Sequence, residues 1–173
     1  VASFNARSGR FPRVLTSEQA IRLAAQSRTG RDAFRRAPNG DREPVTAIVG
    51  FGDSARVVAE WLTGRAPDET YDGDGRFDRA QRGEVGPIDW LVGSSGPETC
   101  DEYLQGAPER DLRGTRDRYA DLAGPIRAEK IRLVRGRLSA ITPLEEGENA
   151  GRVQLTYQMA NGATTTRIVD RVI

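Results

Sequence analysis

The chain has 173 residues, enough for one domain whose core we expect to bury roughly two thirds of the surface that the unfolded chain exposes. Its 26 basic and 25 acidic residues nearly cancel, which argues against nucleic acid or a membrane surface as a partner. There is no histidine and one cysteine, which excludes His-based catalytic triads and an intrachain disulfide, and we identify no loop with metal-ligand spacing.

Residues 1–44 are predicted to form an N-terminal connection with a single helix. An apolar stripe with helical spacing runs from Thr16 to Gln26, and Thr16 with Gln19 matches a capping box at the start of this helix. The stretch from Ser27 to Pro44 is charged and contains glycines and prolines, which predicts a loop or linker.

Residues 45–173 are predicted to form an NAD(P)-binding, Rossmann-like domain that begins with a strand, a glycine turn and a helix. The β-branched run Val45–Val49 is typical of a strand that is buried on both faces of a parallel sheet. The segment Gly50-Phe51-Gly52 interrupts this run, and from Ser54 to Leu62 the apolar spacing becomes helical.

The region after this helix alternates between polar and structured segments. Gly64 to Gly86 is rich in aspartate, glycine and arginine, and we expect this 64–86 insertion to be exposed and mobile. Ile88–Val92 is predicted to be a strand and Pro97–Leu104 a short helix. Arg116–Glu129 is predicted to be a weak helix that Pro125 kinks or ends.

The last third of the chain has antiparallel character. Gly147–Gly151 and Asn161-Gly162 are predicted turns, and Asn-Gly between alternating runs is a strong hairpin signal. The predicted strands are Ile131–Val134, Arg137–Leu144, Arg152–Met159 and Thr165–Ile173. The predicted fold class is therefore α/β: a Rossmann-like parallel sheet with flanking helices plus an antiparallel β-meander.

The turn Gly50-Phe51-Gly52-Asp53-Ser54-Ala55 matches the dinucleotide-binding pattern G-x-G-x-x-G/A. Gly50 permits a tight exit from the strand, Gly52 lets a pyrophosphate approach the backbone, and Ala55 lets the helix pack close to the sheet. The helix N-terminus then offers N–H groups and its positive dipole end to the phosphates. Asp53 is predicted to be the N-cap residue. The alternative is an ordinary strand–turn–helix connection without a ligand.

The end of the second predicted strand is where an adenosine ribose is expected to lie. An NAD site normally carries a carboxylate there, but this chain has Gly93, Ser94 and Ser95. Serine hydroxyls and loop N–H groups can donate to a phosphate without repelling it, which favours NADPH over NADH. The alternative is that the serines only form the turn and that Glu98 binds the ribose.

A basic cluster follows, formed by Arg110, Arg113, Arg116 and Arg118 and interleaved with aspartates. We select Arg116 as a candidate cofactor-binding residue, because an arginine fork matches the geometry of a phosphate. The competing interpretation of this cluster is a solvated face of mixed charge.

The glycine turn and its helix resemble the NAD(P)H-binding domain of two-dinucleotide flavoproteins, such as thioredoxin-reductase-like enzymes and flavin-dependent monooxygenases. Val14–Ser17 and its helix are similar to the connection that precedes this domain, and Leu138–Met159 to its meander. Ile168–Ile173 is similar to the strand that leads back to the flavin domain. The resemblance implies that the chain binds NADP or NAD and positions the nicotinamide for hydride transfer to a flavin. FAD would be bound by a partner domain of the parent protein only.

That resemblance also implies that this chain has no catalytic residue of its own and is inactive by itself. Two features depart from the family. One is the polar insertion, and the other is that the second strand ends in neither an acidic residue nor arginines. The missing Cys-x-x-Cys pair excludes disulfide-reductase chemistry. The alternative function is a non-catalytic nucleotide-sensing or protein-interaction domain. A complete small dehydrogenase is disfavoured, because no acid–base pair is evident.

The remaining candidates are predicted to be structural. We expect Cys100 to be packed, because no histidine is present to activate it, and we expect Trp61 and Trp90 to be packing residues. The chain starts at Val1 without methionine and stops at Ile173 inside a predicted strand, so we expect a piece of a longer protein. Without a visible signal peptide or long apolar run, a cytoplasmic setting is the default expectation.

Overall fold

The computed structural model describes residues 13–26, 42–63, 86–106 and 115–173, without the side chains of residues 23–26 and 115–118. Of the predicted 64–86 insertion only Gly86 is described, and of the predicted linker only residues 42–44, so both predictions lie largely outside the described residues.

Within these ranges, the helices are α1 (Ser17–Gln26), α2 (Asp53–Leu62), α3 (Cys100–Gln105) and α4 (Thr115–Arg127). The strands are β1 (Thr46–Val49), β2 (Ile88–Gly93), β3 (Ile131–Arg135), β4 (Arg137–Pro143), β5 (Val153–Gln158), β6 (Thr164–Val169) and β7 (Arg171–Val172). The predicted helix at the N-terminus is confirmed together with its capping box. The Thr16 N–H donates to Gln19 Oε1 at 2.9 Å, and the Gln19 N–H donates to Thr16 Oγ1 at 3.2 Å.

Four strands form a parallel sheet in the order β3-β2-β1-β7. The register pairs Ile48 with Trp90 and Thr46 with Arg171, and Val14 adds a parallel bridge to Val172. The end of β1 therefore lies where the strand order reverses, with β2 and β3 on one side and β7 on the other. Ligands of open α/β sheets bind outside the carboxyl ends of the strands at such a point.

The two faces of this sheet are covered by different layers. On one face, Ile48 and Trp90 belong to a core that includes side chains of all four helices. On the other face, Ala47 and Leu91 pack against the antiparallel sheet β4-β5-β6. Successive strand residues point to opposite faces, so both layers require apolar side chains, and apolar residues fill most of β1 and β2. The predicted α/β fold class with its meander is confirmed.

The hairpin between β5 and β6 is also confirmed. The Met159 N–H donates to the Ala163 carbonyl at 2.8 Å, and Asn161 Oδ1 accepts from the Ala163 N–H at 3.0 Å. Gly162 has a φ of 83°, in the left-handed region that glycine adopts without steric cost. A type I turn followed by such a glycine is a common three-residue hairpin connection.

The prediction of one strand over Thr165–Ile173 is wrong. The segment is divided into β6, which pairs antiparallel with β5, and β7, which pairs parallel with β1. Asp170 separates them: its N–H donates to the Val45 carbonyl at 2.8 Å, and its Oδ2 accepts from the Val45 N–H at 2.8 Å. β-branched residues, which favour strands, stand on both sides of Asp170, so the sequence pattern carries no sign of the change of sheet.

Pro125 does not end α4, so that part of the prediction is wrong, whereas a kink at Pro125 stays a prediction. Helix α4 continues past Pro125 to Arg127 and ends where Glu129 adopts a φ of 56°. The Lys130 N–H donates to the Pro125 carbonyl at 3.0 Å, and the Glu129 N–H donates to the Ile126 carbonyl at 3.1 Å. This bonding pattern is a Schellman motif, in which a left-handed residue closes the helix.

Candidate functional site

The glycine turn at the end of β1 is held by the neighbouring strand β2. The Gly50 N–H donates to the Leu91 carbonyl at 2.9 Å, and the indole Nε1 of Trp90 donates to the Gly50 carbonyl at 2.6 Å. Gly50 has a φ of 103°, a conformation that L side chains rarely adopt. The backbone of this turn therefore requires glycine at its first position, as the motif predicts.

Gly52 is the N-cap residue of α2, and no side chain caps this helix. Its φ of −94° and ψ of −179° are open to any residue, and a Cβ built on it would meet no atom within 4 Å. Neither strain nor crowding by described residues thus demands glycine at this position. The open space beside an uncapped helix N-terminus is where an anion can approach the backbone.

The prediction that Asp53 caps α2 is wrong. Asp53 is the first helical residue, and its Oδ1 accepts a hydrogen bond from Arg56 Nη1 at 2.7 Å. The Asp53 side chain is largely exposed, whereas that of Arg56 is 7% exposed. The arginine three residues later pairs with the carboxylate on the helix surface, and this pairing offsets the negative charge of Asp53 at the start of α2.

A cluster of aromatic side chains packs beneath the turn, in the core on the helix side of the sheet. Phe51 packs against Trp90 and Tyr103, with ring centroids 5.4 and 6.1 Å apart, and Tyr103 packs against Tyr119 at 5.0 Å. Burial raises the pKa of Tyr103 above its ordinary value, so its hydroxyl stays neutral. Since the Phe51 ring packs into this cluster, the backbone of Phe51 is the part that could contact a ligand.

Arg56 connects the aromatic cluster to the first turn of α2. Its Nη2 donates to the Tyr119 hydroxyl at 2.6 Å, and its guanidinium carbon lies 4.0 Å from the centroid of the Tyr119 ring. Nothing in the sequence around Arg56 distinguishes it from the many other arginines. Only the contact with a tyrosine 63 positions away reveals its place beneath the candidate site.

The other two residues of the motif, Ser54 and Ala55, lie on an exposed and a buried face of α2 respectively. Ala55 is buried in the helix-side core, which agrees with its predicted role in close helix packing. Ser54 is exposed and, with Asp53, borders a cleft of about 460 Å³ between α2 and α1. Glu18 and Ile21 of α1 line the opposite wall, so α1 borders the candidate site although its residues were not predicted to do so.

The end of β2 lies beside the glycine turn at the same edge of the sheet. Gly93 is the last residue of the strand, and Ser94 and Ser95 follow in an exposed turn. The chain then folds back so closely that a Cβ on Gly96 would lie 2.3 Å from the Val92 carbonyl oxygen. The structure therefore leaves both predicted serines accessible.

Arg135, a residue that the sequence did not single out, holds this loop. It ends β3, the strand next to β2, and its Nε donates to the Gly96 carbonyl. Its Nη1 lies 3.3 Å from Glu98 Oε2, and its Nη2 lies 2.6 Å from Glu102 Oε2. Glu98, the alternative ribose ligand, is thus already paired. A polar residue at the end of a strand adjacent to β2 is the signal that could have drawn attention to Arg135.

The remaining candidates divide between packing residues and residues outside the description. Trp90 is fully buried and Trp61 packs against the core, which confirms both predictions. Cys100 is partly buried, with its Sγ 3.6 Å from the Ala123 carbonyl oxygen, as predicted for a packed thiol. Arg116 lies in the first turn of α4, but its side chain is outside the described residues, as are Arg110 and Arg113 entirely. The phosphate contact of Arg116 stays a prediction.

The described residues contain neither a candidate metal site nor a membrane-spanning helix. Residues 13–26, 42–63, 86–106 and 115–173 contain no group of three or more cysteine, aspartate or glutamate side chains that could hold a metal ion. In the same part of the chain, no helix has the length and apolar character needed to cross a membrane.

Comparison with known proteins gives structural neighbours only. No protein-family model and no curated protein sequence matches the chain. It is similar to the lysine monooxygenase NbtG from Nocardia farcinica, described for the conformation of its NADPH domain, with 14% identity and a TM-score of 0.49 over 94% of this chain. It is also similar to L-lysine 6-monooxygenase from Pseudomonas syringae, with 16% identity and a TM-score of 0.44 over 95% of this chain. The chain spans 35% and 43% of these two proteins.

Proposed function

We propose that the chain is an NAD(P)H-binding domain that acts within a flavin-dependent oxidoreductase or monooxygenase. The observation that carries this proposal is the uncapped N-terminus of α2 at the point where the strand order reverses, with open space beside Gly52. An anionic pyrophosphate matches this position, because unpaired N–H groups and the positive end of the helix dipole meet there.

The dinucleotide would span the carboxyl edge of the parallel sheet. Its pyrophosphate would lie over Gly52 and the first turn of α2, and its adenosine over the loop Gly93–Ser95 at the end of β2. The cleft between α1 and α2 adjoins the other side of the turn. When bound, the nicotinamide supplies the hydride, and the protein's own contribution is to bind and orient it.

The flavin would be held by another domain of the parent protein. The glycine turn that we describe serves one dinucleotide, and we propose that this dinucleotide is NAD(P)H rather than FAD. The proposed boundary at residue 44 separates two segments that share one core, since Leu15 and Ala20 of the N-terminal connection pack in the same cluster as Ile48. The connection is thus packed onto the domain rather than separate from it.

We further propose that NADPH is preferred over NADH. Two exposed serines follow β2, and the carboxylate nearest in sequence, Glu98, is paired with Arg135. Loop N–H groups and hydroxyls are then the groups nearest the expected ribose position, and Arg116 is the candidate for an added charge. A charge-assisted hydrogen bond is worth about 1.5–3 kcal/mol, so one such contact gives a preference of roughly tenfold or more.

Gly52→Val tests the proposed function. A Cβ at this position meets no atom within 4 Å, so we expect the fold to be retained, but the valine side chain would fill the space that the pyrophosphate needs. NADPH titration by calorimetry should show binding to the unaltered chain and none to Gly52→Val. Gly124→Val is the matched control, because its Cβ also meets no atom within 4 Å and Gly124 lies in α4. Equal NADPH affinity in all three proteins would contradict the proposal.

A further inference from the structure

The loop between β2 and α3 contains a small network of charges centred on Arg135. We propose that Arg135 is a positioning residue for nucleotide specificity: it holds Glu98 and Glu102 and so lets the site accept a ribose 2′-phosphate. This inference rests on the proposed nucleotide function. It assigns to one arginine the choice between phosphorylated and unphosphorylated adenosine ribose.

The geometry gives Arg135 three different acceptors in one loop. Its Nε bonds the backbone of Gly96, and its two terminal nitrogens reach Glu98 Oε2 at 3.3 Å and Glu102 Oε2 at 2.6 Å. Glu102 Oε2 also accepts from the Glu98 N–H at 2.8 Å. The arginine therefore links the middle of the loop to the first turn of α3, and its fork fixes both carboxylates together.

The Arg135 network lies at the same edge of the sheet as the adenosine end of the proposed site. Strands β1, β2 and β3 are parallel neighbours, so the glycine turn, the serine turn and Arg135 all lie at the carboxyl edge of the sheet. Gly93 and Gly136 keep the ends of β2 and β3 joined, with the Gly136 N–H donating to the Gly93 carbonyl at 3.2 Å. Ser94 and Ser95 are exposed on this loop, while Arg135 anchors it at Gly96.

Charge determines the direction of the effect. Arg135 with Glu98 and Glu102 carries a net charge of one negative unit, and the side chains are only partly exposed, at 30%, 52% and 42%. Loss of the arginine leaves two carboxylates near a 2′-phosphate, and these repel it while accepting hydrogen bonds from a 2′-hydroxyl. Loss of one glutamate removes a repulsion and releases part of the arginine fork toward the phosphate.

The test measures a ratio of affinities in the full chain. Calorimetric titrations with 2′,5′-ADP and 5′-AMP at low salt give the preference for the 2′-phosphate. We expect Arg135→Gln to lower this preference about tenfold, the equivalent of one charge-assisted hydrogen bond. Glu98→Gln and Glu102→Gln should each raise it. Arg135→Lys keeps the charge and should retain most of the preference, and all differences should shrink as added salt screens the charges.

Opposite changes for the arginine and glutamate variants would support the inference, because simple loosening of the loop weakens both nucleotides together in every variant. Such parallel weakening at an unchanged ratio would overturn it. If Arg135→Gln does not fold, the test still rests on Glu98→Gln and Glu102→Gln, because these substitutions change side chains that are about half exposed. If the unaltered chain binds neither probe, the proposed function itself fails, and this inference with it. If it binds both and the ratio is the same in all variants, this inference alone fails.

Discussion

The two faces of the parallel sheet use different chemistry to bury the same strands. The helix-side core is mainly apolar and aromatic, and the charged side chains buried there include Arg56, which lies beneath the candidate site, and Glu60 of α2. The meander-side core has a smaller apolar centre, flanked by two buried carboxylates, Asp89 and Asp170, each paired with arginines. We infer that packing on the helix side supports the glycine turn. On the meander side, buried ion pairs hold the antiparallel sheet in one position against the parallel sheet.

The carboxylates on the meander side lie where the two sheets are joined. Asp89 of β2 accepts from Arg132 Nε of β3 at 2.9 Å and from Arg167 of β6, so it links three strands across the layers. Asp170, at the change from β6 to β7, accepts from Arg42 and lies 3.5 Å from Arg152 Nε. Apolar contacts between sheets tolerate sliding, but hydrogen-bonded ion pairs specify one position.

The largest effect is expected from Asp170→Ala. The change leaves the Val45 N–H and the largely buried Arg152 without this carboxylate, and loss of one partner of a buried ion pair costs about 3–5 kcal/mol. Urea unfolding measures the free energy of unfolding. The control is Glu145→Ala, which removes a 64% exposed partner of Arg13 and should cost less than about 1 kcal/mol. Equal costs would contradict the assignment of the meander-side charges as the joint between the sheets.

Trp90→Phe should have an intermediate effect on stability and a specific effect on binding. It removes the hydrogen bond from the indole Nε1 to the Gly50 carbonyl and leaves space beside a smaller ring in the core, at a cost of about 1–3 kcal/mol. Because the turn loses its support, NADPH affinity should also fall. Val153→Ala is the matched control: it removes a fully buried side chain from the meander-side core and should cost roughly 2 kcal/mol with unchanged affinity. Equal affinity losses in both variants would show that the two faces are not independent.

The smallest effect is a difference in pH dependence between the two carboxylates. Burial raises the pKa of Asp89 above 3.8 despite Arg132, whereas hydrogen bonds from Arg42 and Val45 outweigh burial and lower the pKa of Asp170 below 3.8. The stability that ionised Asp170 contributes is present above pH 3.8 and is lost as the pH falls through its folded pKa. The Asp89 carboxylate is instead favoured in its neutral form, so its contribution grows as the pH falls toward 3.8.

The expected result is two opposite slopes. Relative to the unaltered chain, the destabilisation by Asp170→Asn should shrink on acidification below about pH 4, and that by Asp89→Asn should grow between pH 7 and 4. Each unit of pKa shift corresponds to about 1.4 kcal/mol. Urea titrations from pH 3 to 7 measure both differences, and parallel slopes would contradict the contrast between the two sites.

Local signals in the sequence were sufficient for most of the secondary structure and for the glycine turn. The capping box of Thr16 and Gln19, the strand Thr46–Val49 and the hairpin at Gly162 depend on residues a few positions apart, and each is confirmed. The errors occurred where two elements share one pattern. Asp53 and Gly52 both suit an N-cap, and the β-branched residues on both sides of Asp170 do not show the change of sheet there.

The sequence by itself determined the order of elements, the α/β class and the position of a turn suited to a dinucleotide, because periodicity, capping and turn formation depend on neighbouring residues. Only the tertiary structure decided what surrounds that turn. Trp90 reaches Gly50, Arg56 reaches Tyr119, and Arg135 reaches Gly96 across separations of 40, 63 and 39 positions. Such contacts exist only after the strands have aligned, since parallel strand order brings distant chain segments to one edge of the sheet.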